Sequence, residues 1–96
     1  HPFAGAPYAT SKAALAALTR EMAYDLGPLG VRVNAIAPGE VETSILSPGT
    51  DKIVDALPLQ RLGQPSEVAS AIYFLCSGQS SYISGAEIQV NGAQHV

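Results

Sequence analysis

Two short stretches of this chain carry a strand pattern, and they lie far apart in the sequence. The first is Val31-Arg32-Val33-Asn34-Ala35-Ile36, rich in β-branched residues and closed by Ala37-Pro38-Gly39. The second is the alternating Ala86-Glu87-Ile88-Gln89-Val90, followed by the turn signal Asn91-Gly92. A strand, a connection with helical patterning and another strand predict a right-handed parallel crossover unit. A parallel pair by itself has two open edges, and parallel sheets are ordinarily buried in larger sheets with helices on both faces. The expected class is therefore α/β, one end of a larger doubly wound parallel-sheet domain.

The helices are read from the spacing of apolar side chains. From Tyr8 to Leu26, the residues Leu15, Leu18, Met22 and Leu26 recur three and four apart, with Arg20, Glu21 and Asp25 off that stripe. Gly27-Pro28 is expected to stop this helix, Gly27 supplying the left-handed closing residue. Its many alanines make it thin and suited to close packing. Between Glu40 and Leu62 the chain reads as loop, with one short helix from Asp51 to Leu57 started by Thr50. Pro65 suits a first helical position, and Val68, Ala69, Ile72, Leu75 and Cys76 are expected to share one face until Gly78 ends that helix.

Size and composition exclude several classes. With 96 residues the chain is one small domain at most, able to bury only about 60% of its unfolded surface. Its 47% hydrophobic and 14% charged residues are those of a folded chain with an interior. A net charge of −3 offers no footprint for nucleic acid. Cys76 is the lone cysteine, expected as a small buried hydrophobe in a reducing compartment, so the cytoplasm is the expected location. No apolar run approaches the roughly 18 residues that cross a bilayer, so no membrane role is expected. The histidines His1 and His95 have no ligand spacing around them, and no metal is expected. A chain starting His1-Pro2 is expected to be a processed fragment or to have lost upstream sequence.

Tyr8 and Lys12 lie four apart, so on a helix they share one face and can reach one ligand. An ammonium about 4 Å from a phenol is worth up to about 4 kcal/mol at an effective dielectric of about 20, enough to matter for proton transfer. Taken alone, the pair also fits a solvated structural contact. Tyr24, Tyr73 and Tyr82 read as packing or interface aromatics.

Four ordered motifs extend the pattern: Tyr8-Ala9-Thr10-Ser11-Lys12; Asn34-Ala35-Ile36-Ala37-Pro38-Gly39 with Val41 and Thr43; Arg61-Leu62-Gly63-Gln64-Pro65-Ser66-Glu67-Val68-Ala69; and Tyr82-Ile83-Ser84-Gly85-Ala86 running on to Asn91-Gly92. Together they resemble the C-terminal part of the short-chain dehydrogenase/reductase family, from about Tyr8 to Ala93.

The resemblance implies that the chain, residues 1–96, is the C-terminal fragment of one Rossmann-type dehydrogenase domain whose nucleotide-binding half is absent. It implies an NAD- or NADP-dependent oxidoreductase acting on a small alcohol or carbonyl. Tyr8 matches the catalytic tyrosine that exchanges a proton with the substrate oxygen. Lys12 matches the lysine that holds the nicotinamide ribose and eases that transfer. Pro38 and Gly39 match the turn after the penultimate strand, while the Val41 main chain and the Thr43 hydroxyl match the grip on the nicotinamide carboxamide. For Thr43, a hydroxyl capping a local turn is the competing reading. The stretch from Thr43 to Leu57 matches the substrate lid, with Ile45 and Leu46 placed to meet apolar substrate. The family's catalytic serine, active-site asparagine and glycine-rich loop have no match here, and Asn91-Gly92-Ala93 departs from its common Asp-Gly-Gly. The family associates as dimers or tetramers, so a homo-oligomer is expected. The alternative is a truncated, non-catalytic remnant that persists by oligomerising.

Overall fold

The computed structural model describes residues 5–43 and 49–94. In chain order the elements are α1 (Ala6–Leu26), β1 (Ala35–Pro38), α2 (Thr50–Ala56), α3 (Pro65–Cys76) and β2 (Glu87–Val90), with 3₁₀ turns at Gly27–Leu29 and Gly78–Ser80. β1 and β2 form a two-stranded sheet. Its bonds climb together, from Ala35 N–H on the Ala86 carbonyl to Gly39 N–H on the Val90 carbonyl, so the strands are parallel, as expected. The chain divides into two units, His1–Ala35 with Tyr82–Ile88, and Ile36–Ser81 with Gln89–Val96.

In the first unit α1 opens with Pro7 in its first turn, where a missing N–H costs nothing. Its inward face differs from the expected one. The residues turned inward are Lys12, Ala16, Ala17, Thr19, Ala23 and Leu26, with Thr19 only 5% exposed, whereas Leu15 and Leu18 are 52% and 53% exposed. The small side chains of this face let α1 lie near segment 83–86: a methyl group on Gly85 would be in ordinary contact, 3.5 Å from the Ala23 Cβ. The Thr19 hydroxyl avoids a desolvation cost by donating to the Leu15 carbonyl at 2.8 Å. Gly27 does not take the left-handed conformation. It continues the helix at φ −52 into the 3₁₀ turn, and Gly30 at φ 78 supplies the left-handed residue that closes it.

The first strand is also displaced from its expected bounds. Residues 31–34 are outside β1 because much of their pairing with segment 83–86 runs through side chains. Val33 N–H donates to the Ser84 hydroxyl, and the Asn34 amide donates to the Ile83 carbonyl at 3.0 Å while accepting from Ala86 N–H at 3.0 Å. Arg32 Nη1 donates to the same Ile83 carbonyl at 3.1 Å.

In the second unit the buried apolar side chains are Ala37, Leu57 and Leu75. α2 starts from Gly49 at φ 90 and not from a Thr50 cap, since Thr50 is already helical. In α3 the inward face is Val68, Ala71 and Leu75, three and four apart, which leaves Cys76 exposed instead of buried. The carbonyls at the end of α3 converge on the buried Ser80 hydroxyl, 2.8 Å from the Phe74 oxygen and 3.0 Å from that of Leu75.

Gly39 is the tightest backbone position of this unit. A Cβ there would fall 2.6 Å from both the Asn91 Cβ and the Gln94 Oε1, and 3.0 Å from the Asn91 Cα. Gly39→Ala is therefore expected to cost about 1–3 kcal/mol of overpacking. Gly27→Ala, which meets nothing within 4 Å, is expected to be neutral or to stabilise by about 0.4–1 kcal/mol. Denaturant melts of the two variants check this contrast.

Candidate functional site

Tyr8 and Lys12 sit one turn apart near the start of α1, in the first unit. The structure brings them together: the Lys12 Nζ lies over the Tyr8 ring, 5.6 Å from its centroid, inside the roughly 6 Å reach of a cation–π attraction. Lys12 is half-buried and continues the inward stripe of α1, while Tyr8 is exposed. A rigid helix thus presents a phenol with a cation held against it. Ser11, between them, donates its hydroxyl to the Pro7 carbonyl at 2.8 Å and so serves the helix backbone.

Pro38, Gly39, Val41 and Thr43 belong to the second unit. Pro38 ends β1, and Gly39 N–H donates to the Val90 carbonyl at 3.1 Å. The chain then makes a parallel bridge between Val41 and Gly63. In that bridge Gly63 N–H donates to the Glu40 carbonyl at 2.9 Å, and Gly63 C=O accepts from Glu42 N–H at 2.8 Å. The bonds to Gly63 therefore use the neighbours of Val41. The N–H and C=O of Val41 itself face the other way, and have no hydrogen-bond partner among the described residues. Thr43 is exposed, and Ile45 and Leu46 lie outside the described residues.

The second unit also contains a polar cluster that the sequence reading did not single out. Arg61 meets Glu67 with two parallel bonds of 2.8 and 3.0 Å, and a Glu67 oxygen also accepts from Gln64 N–H at 2.9 Å. That carboxylate caps the first turn of α3. Gln64 Nε2 donates to Glu42 Oε2 at 2.7 Å, and Gln94 Oε1 accepts from Glu40 N–H at 3.0 Å. The Arg61 hydrogen bond, and then the Gln64 N–H, hold the Glu67 carboxyl down at about 2, and the same contact raises the Arg61 guanidinium. Both side chains are about half exposed, at 52% and 45%, so salt weakens the pair. The cap at Glu67 was legible in the run Gln64-Pro65-Ser66-Glu67. No local pattern announces the pairing of Gln64 with Glu42.

A cleft of about 170 Å³ opens beside this cluster, lined by Val41, Leu57, Arg61, Gln64, Gln89 and Asn91 among others. It is smaller than the roughly 300–1,000 Å³ of small-molecule sites. Among the described residues no group of three or more His, Cys, Asp or Glu is placed to hold a metal, and no helix is long and apolar enough to cross a membrane. Tyr24, Tyr73 and Tyr82 do not pack within the chain, being strongly or fully exposed.

Comparison with known proteins defines the class. The family model described as Enoyl-(Acyl carrier protein) reductase matches residues 2–95. Protein FixR of Bradyrhizobium diazoefficiens is 60% identical over 97 residues, covering 100% of this chain and 35% of FixR. The 7alpha-hydroxysteroid dehydrogenase of Escherichia coli K12 is 46% identical over 90 residues, covering 88% of this chain and 35% of that enzyme. A substituted short-chain dehydrogenase/reductase of Serratia marcescens has a TM-score of 0.88 at 36% identity, over 100% of this chain and 41% of its own. The chain belongs to the short-chain dehydrogenase/reductase family, and its parallel α/β arrangement is that of the family's Rossmann fold. It spans about a third of the length of the curated relatives it matches.

The Glu67 carboxyl ionises more readily in the folded chain than its ordinary value of 4.5 allows. Its contribution to stability is therefore complete above about pH 4.5 and is lost as pH falls towards 2. Against Glu67→Gln, the native protein is expected to keep a constant advantage in Tm above that range and to lose it progressively below. Calorimetric melts from pH 7 down to acid, at low and high salt, measure this.

Proposed function

We propose that the chain is the C-terminal part of an NAD- or NADP-dependent oxidoreductase that interconverts a small alcohol and its carbonyl compound. The observation that carries this reading is the Tyr8 phenol with the Lys12 cation 5.6 Å from its ring centroid, on one helix of a chain from this family. The relatives named 7alpha-hydroxysteroid dehydrogenase and cyclohexanol dehydrogenase support the substrate class. With one cysteine in the sequence, Cys76, and so no disulfide within the chain, the cytoplasm is the location we propose.

The residues present fit the nicotinamide end of such a cofactor. Val41 turns away from Gly63 an N–H and C=O that have no partner among the described residues, a donor and an acceptor that match a carboxamide's own acceptor and donor. The exposed Thr43 hydroxyl lies two residues further along. When bound, the nicotinamide supplies or accepts the hydride. In the reductive direction Tyr8 donates its hydroxyl proton to the substrate oxygen as the carbon gains hydride, and the resulting phenolate recovers a proton from solvent. Lys12, on the same face of the helix, holds the ribose. On sequence grounds Ile45 and Leu46 meet the apolar part of the substrate.

Tyr8→Phe in the intact protein is expected to lower turnover by about 100-fold or more, with cofactor binding retained. Steady-state rates and a cofactor titration check it, and unchanged turnover would overturn the mechanism. The isolated 96-residue chain is expected to bind neither NAD(H) nor NADP(H) appreciably.

A second reading, an oligomerising module without catalysis, is favoured by one observation: the exposed Leu15, Leu18 and Met22 on α1. In both readings those side chains are covered in a dimer or tetramer. Under the second, Tyr8→Phe is silent, whereas a charge at Leu18 disperses the assembly on size-exclusion chromatography.

A further inference from the structure

Gln64 stands where two parts of the second unit meet. Behind it, its N–H is bound by Glu67, which Arg61 grips through two bonds, so the residue is fixed to the first turn of α3. In front, its Nε2 reaches 22 positions back along the chain to Glu42 Oε2 at 2.7 Å, the short length of a charge-assisted bond. Glu42 lies between Val41 and Thr43. Successive side chains of an extended stretch alternate, so Gln64 takes hold from the face opposite the Val41 and Thr43 side chains. Two main-chain bonds to Gly63 hold the same stretch, at 2.8 and 2.9 Å, and the Gln94 side chain holds Glu40 N–H at 3.0 Å. Past Glu42 the described chain ends at Thr43.

We infer that Gln64 and Glu42 are positioning residues: they clamp segment 41–43 to α3 and thereby set how firmly it grips a nicotinamide carboxamide. This assignment rests on the oxidoreductase reading. It goes beyond it in giving a binding task to two polar side chains that would otherwise be surface decoration. Neither residue touches the cofactor. They act through Val41 and Thr43.

The test titrates the intact protein with NADH and NADPH, following nicotinamide fluorescence. Loss of a single charged hydrogen bond in Gln64→Ala is expected to raise the Kd of the preferred cofactor about fivefold, with little change in Tm. Glu42→Ala is expected to give the same loss. Gln64→Lys, which keeps a donor facing the Glu42 carboxylate, is expected to restore tight binding. In a Thr43→Val background, Gln64→Ala is expected to add a smaller loss than in the native protein, because only the part of the clamp that acts through the Val41 main chain is left; a purely structural role would weaken both backgrounds equally. Wild-type binding with an unchanged Kd in Gln64→Ala or Glu42→Ala, or equal losses in the two backgrounds, overturns the clamp alone. A wild-type protein that binds neither cofactor overturns the oxidoreductase reading and the clamp with it.

Discussion

The Asn34 side-chain amide sets the register on which the rest depends. It occupies the place of a strand rung, its nitrogen donating to the Ile83 carbonyl and its oxygen accepting from Ala86 N–H, before β1 begins at Ala35. A slip of one residue in a parallel pair would send every side chain to the opposite face. It would also place Pro38 or Glu40 where Gly39 now lies, against the Asn91 Cβ, with no room for either. Side-chain recognition at one end of the pairing and steric exclusion at the other therefore specify the same alignment. The positions that follow β1, Val41 and Thr43 among them, inherit it.

Polar satisfaction is more complete in this chain than apolar burial. Among the described residues no buried side-chain nitrogen or oxygen lacks a partner, and the single hydroxyl of Ser80 serves the end of a whole helix. The buried apolar side chains among the described residues, by contrast, are Ala37, Leu57 and Leu75. Large apolar groups such as Leu18 and Tyr24 remain in solvent. Hydrogen bonding thus defines the shape of the units, while much of the hydrophobic driving force awaits other surfaces. The two open edges of a two-stranded parallel sheet make the same demand.

The class of fold was legible because it depends on pattern. Two strand-patterned stretches, a helix stop near Gly27-Pro28 and a proline opening α3 are local signals, and each element formed close to its signal, although β1 lies at Ala35–Pro38, displaced from Val31–Ile36, and α1 closes at Gly30. What failed was the reading of faces. The stripe of Leu15, Leu18 and Met22 has the spacing of a core face, yet α1 turns Ala16, Thr19 and Ala23 inward. Hydrophobicity measures what an apolar group gains by leaving water, whereas the distance between packed backbones is decided by size, and here size prevails. Cys76 was misplaced for a related reason: one step beyond Leu75 is about 100° around a helix, enough to carry it from interior to solvent. Tyr8 and Lys12 were legible as a pair from their spacing. The link from Gln64 to Glu42 was not, since contacts between distant segments leave no trace in local periodicity.

The contact between Ala23 and Gly85 gives α1 the mechanics of a lever. Tyr8 lies fifteen residues from Ala23, which is about 22 Å along a helix axis. A helix of this length moves as a stiff body, so a change in side-chain volume at the far end tilts the near end. The Tyr8 phenol is thus carried by a helix whose inward face, several turns away, is kept to small side chains such as Ala16 and Ala23.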